Sequence, residues 1–189
     1  MKLIPDLRLD LANQWVLLGI YFLIFIIFVL RLSKEKRDWL FADPKQMIHG
    51  TKKLALRVGQ VLAFSLIILL CLTPLPSTLG GHQLIGITLY LTGTILVPVS
   101  LHYFEKTSSD QPVLDGPYRY SRNPQWVGLF MALLGLAISA GSILLIILVL
   151  LVGFTYHIQI LGEEAVCRAK YGVSYDEYLE TVPRYLLFK

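Results

Sequence analysis

Charge is missing from long stretches of this chain. Residues 123–162 contain no Asp, Glu, Lys or Arg, and neither do residues 58–104 or residues 11–30. Runs of that length exclude water as the solvent around them. Cysteine is scarce: Cys71 and Cys167 are the only two, which excludes a disulfide framework or a thiolate metal cluster. Cys71 lies in an apolar run and reads as a small packing residue, and Cys167 reads as a buried thiol, with palmitoylation the alternative. No G-x-G-x-x-G turn is present, no internal repeat and no low-complexity segment. The first apolar run also lacks the compact basic start and small-residue cleavage site of a signal peptide, so it is expected to be retained. What remains is apolar, with 55% hydrophobic residues and a mean hydropathy of +0.62. The chain reads as all-α, an integral membrane helical bundle.

A span needs about 20 apolar residues to cross a hydrocarbon core of roughly 30 Å. Residues 11–30 supply one. Residues 58–104 supply two, divided by the turn chemistry of Pro74, Pro76, Gly80 and Gly81. Residues 123–162 would be roughly 60 Å long as a single helix at about 1.5 Å per residue, so a helical hairpin turning at 139–142 is expected. The expectation is five spans, with 1–104 as an N-terminal part and 105–189 as a C-terminal catalytic part ending in cytoplasmic tail helices. Basic residues cluster in 31–53 (Arg31, Lys34, Lys36, Arg37, Lys45, Lys52, Lys53), in 105–122 and in the tail (Arg168, Lys170, Arg184, Lys189), while 74–82 and 139–142 have none. By the positive-inside rule these clusters face the cytoplasm and the N-terminus lies outside, in the cell membrane if the source is bacterial. Orientation and anionic headgroups account for the net charge of +4, so no nucleic-acid partner is expected.

The chemistry concentrates in residues 116–128, GPYRYSRNPQWVG. Gly116-Pro117 reads as a sharp turn, and Pro124 suits the first position of a helix, where its missing N–H costs little. Arg119 and Arg122 offer planar, multi-donor cations suited to carboxylate or phosphate. Tyr118, Tyr120 and Trp126 can stack on a ring or lie under a cation, or serve as an interfacial belt. Beyond the apolar run stand Glu163 and Glu164, which are costly there unless solvated or paired. Helical phase separates them by about 100°, so they face different targets. Glu164 shares a face with His157, two turns earlier. The expectation is that Glu164 turns toward a ligand while its neighbour pairs with tail arginines. The helix should run to Tyr171 and end at Gly172, a second short helix should open near Ser174, and Pro183 should break it.

Gly116-Pro117-Tyr118, Arg122-Asn123-Pro124, Trp126, Gly128, Glu163-Glu164 and a tail of Tyr171-Gly172, Tyr175, Tyr178 and Val182-Pro183-Arg184 together resemble the isoprenylcysteine carboxyl methyltransferase family, whose pattern is shared by membrane phospholipid methyltransferases. The resemblance covers about the last 75 residues. It departs from the family's R-H-P-x-Y-x-G at Asn123, in place of His, and at Trp126, in place of Tyr, which removes a titratable group. The resemblance implies S-adenosylmethionine as cofactor, held by Tyr118, Arg122, Asn123, Pro124, Trp126, Gly128, His157, Glu163 and Glu164. Glu164, Arg184 and Arg119 would serve catalysis, with no metal. The implied partner is a lipid or prenylated small-molecule or peptide acceptor in the membrane. A prenylcysteine carboxylate is already ionised and needs an anion clamp such as Arg184 or Arg119. A phosphoethanolamine headgroup must first lose a proton, to Glu164 or His157. A membrane nicotinamide-dependent reductase and a noncatalytic scaffold are the other classes, and the missing glycine-rich turn counts against the first.

Overall fold

The computed structural model describes residues 1–42 and 48–186; Lys45 and Lys189 of the basic clusters lie outside them. The helices run in the order α1 (Trp15–Arg31), α2 (Lys34–Leu40), α3 (Thr51–Leu72), α4 (Gly81–Lys106), α5 (Pro124–Ser139), α6 (Ile143–Tyr171) and α7 (Val173–Thr181). A 3-10 turn, Gly116–Arg119, joins α4 to α5. No strand forms among the described residues, and the protein is an all-helical membrane bundle. At 22, 26 and 29 residues, α3, α4 and α6 are long and apolar enough to cross a membrane, whereas α1 and α5 are shorter apolar helices.

Boundaries differ from the sequence expectation where charge had stopped the reading. The third helix takes Lys52, Lys53 and Arg57 into its opening turns. The short α2, unforeseen in the basic 31–53 segment, starts at Ser33, whose side chain accepts the Lys36 N–H. Gly172, at φ 58°, closes α6 as expected, but α7 opens at once from that same glycine. Ser174 therefore lies inside α7 and donates to the Tyr171 carbonyl at 2.9 Å instead of capping.

The tightest helix pair is α4 with α5, because both place glycine where they meet. A Cβ on Gly86 would come within 2.5 Å of the Gly135 carbonyl oxygen, and one on Gly93 within 2.6 Å of the Ala132 nitrogen. Removing side chains lets the two backbones approach, the small-residue packing that membrane helices use where water supplies no hydrophobic drive. On the other side α3 packs on α6, with Gly59 against Thr155. Leu66, Leu70, Leu101, Leu136 and Leu145 fill the core between them.

The two ends of the bundle sort as the charge pattern suggests. At one end the Lys2 N–H donates to the Gly141 carbonyl at 2.7 Å and Asn13 Nδ2 to the Cys71 carbonyl at 3.2 Å. That gathers the N-terminal segment, the α3–α4 link and the α5–α6 turn. At the other end Lys36 Nζ donates to the carbonyls of Phe104 at 3.0 Å and Thr107 at 2.6 Å, satisfying the last turn of α4. Burial lowers the Lys36 pKa, with Glu105 and Glu35 opposing the shift. Trp39 on α2 meets the Tyr171 ring at 6.2 Å, and Lys170 Nζ lies 3.9 Å from the Trp39 ring centre. Residues 31–42, 48–53, 105–122 and the described part of the tail thus share the end at which the motif lies.

Candidate functional site

The Gly116-Pro117 turn is required by space. Gly116 has φ 62°, and a Cβ there would come within 2.5 Å of the Tyr103 ring, so glycine alone fits on both counts. The turn drops Tyr118 into a cluster with Tyr175 and Tyr178 of α7. Tyr178 donates its hydroxyl to the Tyr118 carbonyl at 2.7 Å. Burial pushes all three phenols up, so they remain neutral donors. Four residues on, Arg122 enters the interior with only 4% of its side chain exposed.

Arg122 binds the tail and the hairpin together. Its Nη1 donates to the carbonyls of Leu179 at 2.9 Å and Val182 at 2.8 Å, and its backbone N–H donates to Pro183 at 3.0 Å. Its Nε donates to Glu164 Oε1 at 3.1 Å, where Asn123 Nδ2 also donates at 3.0 Å. Arg184 closes the other side, donating its Nε to Glu164 Oε2 at 3.0 Å, with Nη2 2.9 Å from the same oxygen in an ion pair. The hydrogen bond to Glu164 raises the Arg184 pKa further. Glu164 is therefore buried between two guanidinium groups and an amide, which is how an ionised carboxylate becomes tolerable at the end of an apolar helix. Asn123 stands at the N-cap of α5 and makes no cap bond, because its amide is turned to Glu164. Residues that are widely separated in sequence, in the 121–124 segment, at 163–164 and at 182–184, meet in one place.

Residues 82–174 match the phospholipid methyltransferase family. The matched stretch runs from α4 into α7, includes Arg122, Asn123 and both glutamates, and stops before Arg184. No curated protein and no solved structure matches the chain. The phospholipid methyltransferase match points to a membrane methyltransferase, a class whose members act on lipid-type acceptors and generally use S-adenosylmethionine.

Within that matched region the two glutamates have different partners. Glu164 is the one held by arginines, and His157 bonds Tyr185, Nδ1 to hydroxyl at 2.7 Å, not Glu164. Glu163 accepts from Trp126 Nε1 at 2.8 Å and from Gln159 Nε2 at 3.0 Å. It lines two partly polar cavities, of about 700 Å³ and about 150 Å³, that share Leu40, Ala42, Gln125 and Glu163, and Glu164 lines the smaller of them as well. Helical phase did separate the pair, but most of the partners that hold each one sit beside α5 and in the tail, out of reach of sequence spacing. Gln125, which sequence reasoning passed over, lines both cavities, and its buried Nε2 has no hydrogen-bond partner.

The remaining expected residues divide between those beside the two glutamates and those apart from them. Arg119 is two-thirds exposed and pairs with Asp115 at 2.6 Å, away from Glu164, and Tyr120 is exposed. Gly128 faces the α4 seam, where a Cβ would come within 2.7 Å of Val97 Cγ2. Pro124 is buried at the first turn of α5. Trp126 packs on Tyr156 with ring centres 5.1 Å apart. With His157 and Tyr185 it walls a third, almost wholly apolar cavity of about 710 Å³. Cys71 and Cys167 are free thiols.

Proposed function

We propose that the chain transfers the methyl group of S-adenosylmethionine to an amphiphilic acceptor at the end of the α5–α6 hairpin, the favoured nucleophile being a carboxylate of the prenylcysteine type. The observation that carries this reading is that Glu163 and the unpartnered Gln125 both line the two partly polar cavities, beside a clamp made of Arg122, Asn123, Glu164 and Arg184.

The residues present fit the cofactor. Glu163 suits its ammonium or ribose hydroxyls, and the unpartnered Gln125 amide supplies a donor. The tyrosines around the smaller cavity, with Trp39, supply aromatic faces for adenosine. The sulfonium supplies an activated methyl group when bound, so the protein's task is orientation and exclusion of water. Arg122 and Asn123 act as positioning residues, since they fix Glu164 and through it the tail that closes the end of the site. Two guanidinium groups against the single carboxylate of Glu164 leave that clamp net positive. Of the two clamp cations Arg184 is the more open, with 24% of its side chain exposed against 4% for Arg122. A specific observation favours the second reading, phospholipid N-methylation: no cation pairs with Glu163 among the described residues. A lipid ammonium at that carboxylate could give up a proton there, or to His157, before its nitrogen attacks.

Calorimetry of the purified protein in nanodiscs tests the reading. S-adenosylmethionine should bind to wild type, and Glu163→Gln should weaken it about tenfold or more through loss of a charge-assisted contact. Absence of binding by folded wild type would refute it.

A further inference from the structure

We infer that Lys53, Arg57 and Gln60, at the cytoplasm-facing start of α3 by the charge rule, form a mouth that seats the anionic headgroup of the acceptor; this rests on the methyl-transfer reading. The three residues are spaced i, i+4 and i+7 and so share one face of α3. That face lines the cavity of about 700 Å³ whose inner wall carries Glu163, Gln159 and Gln125. The cavity is therefore bipolar, with cations on α3 and a carboxylate on α6. Its polarity matches an acceptor headgroup passing inward from the membrane surface.

Among the described residues the two cations pair with no carboxylate, unlike several basic residues at this end of the bundle. Lys36 caps α4, Arg37 donates to the Leu30 and Leu32 carbonyls, Arg168 pairs with Asp176, and Arg122 and Arg184 hold Glu164. Lys53 and Arg57 have no ion-pair partner among the described residues, and both are exposed. The start of α3 adds its own partial positive charge, because Gly50 makes no side-chain cap bond there. The cavity also has an apolar continuation: Phe22, Trp126 and Leu129 line both it and the apolar cavity of about 710 Å³. An amphiphile can thus hold its anion at Lys53 and Arg57 while its chain crosses Trp126 into apolar surroundings. Two headgroup anions share this chemistry, a phosphodiester and a carboxylate.

Native mass spectrometry of the full chain, titrated with phosphatidylethanolamine, S-farnesylcysteine, diacylglycerol and farnesol, tests the inference. At least one of the first two should bind about tenfold more tightly than its anion-free counterpart, and Lys53→Gln with Arg57→Gln should abolish that preference. The anion that loses its preference identifies the source. Lys34→Gln with Lys52→Gln, which removes two cations that do not line the cavity, should leave the preference intact, and the charge-keeping Lys53→Arg with Arg57→Lys should restore most of it. An unchanged preference in the first double variant, or an equal loss in the second, would overturn the inference, the latter by showing only surface attraction. Calorimetry with S-adenosylmethionine separates the two failures: no cofactor binding by wild type sinks the functional reading, whereas normal cofactor binding with no anion preference sinks the mouth alone.

Discussion

Replacing Glu164 by Gln should loosen the tail of this protein without disturbing the bundle core. The carboxylate accepts from Arg122 Nε at 3.1 Å, Asn123 Nδ2 at 3.0 Å and Arg184 Nε at 3.0 Å. The amide of a glutamine would carry no charge and would turn its NH₂ toward at least one of those donors. Breaking a buried ion pair from one side costs about 3 to 5 kcal/mol because the other charge is stranded. Arg122 keeps the Leu179 and Val182 carbonyls, and the part-exposed Arg184 can find water, which places the expected loss near the low end, about 3 kcal/mol. Glu163→Gln differs: its partners are Trp126 and Gln159, and a glutamine oxygen can still accept, so its stability loss should be about 1 kcal/mol. Hydrogen exchange of residues 173–186 and thermal unfolding in detergent would show the contrast. Glu164→Gln should speed exchange throughout that segment and Glu163→Gln should not. Equal protection of the tail in the two variants would refute the clamp.

Four further outcomes follow from the packing. Gly135→Ala places a Cβ 2.5 Å from the Gly86 carbonyl oxygen and should destabilise by roughly 1 to 3 kcal/mol in thermal unfolding. Gly19→Ala, with nothing within 4 Å, should be neutral or slightly stabilising on helix propensity. Tyr178→Phe strips the buried Tyr118 carbonyl of its 2.7 Å donor and should cost roughly 1 to 3 kcal/mol, read as a lower unfolding midpoint. Trp126→Phe keeps much of the packing on Tyr156 but removes the 2.8 Å bond to Glu163. It should weaken cofactor affinity severalfold in calorimetry while leaving the unfolding midpoint within a few degrees.

The apolar helices were legible because the uncharged runs and the Pro and Gly interruptions mark their presence and turns, though not their ends. Helix α2 was not: seven residues of mostly charged sequence show no apolar period, and its order comes from Lys36 reaching the end of α4 and Trp39 meeting Tyr171. The convergence of Arg122, Glu164 and Arg184 was legible in outline from the resemblance. Their division of labour was not, because helical phase fixes only the angle between Glu163 and Glu164, and the partners that choose between them come from another helix and the tail. Gly128 illustrates a second limit. Glycine in a motif reads as close ligand approach, yet here it serves the seam with α4. Lys53, Arg57 and Gln125 carried no motif and gained significance only from the cavity they line.

The most direct test of the central claim is transfer of label from methyl-tritiated S-adenosylmethionine, with purified wild type in nanodiscs containing phosphatidylethanolamine and, separately, an S-farnesylcysteine. Label should enter one extractable acceptor. Glu163→Gln, with an intact tail, should lower the rate at least tenfold, the scale of one charge-assisted contact. Folded wild type that transfers no label to either acceptor, or Glu163→Gln that turns over at the wild-type rate, would contradict the account.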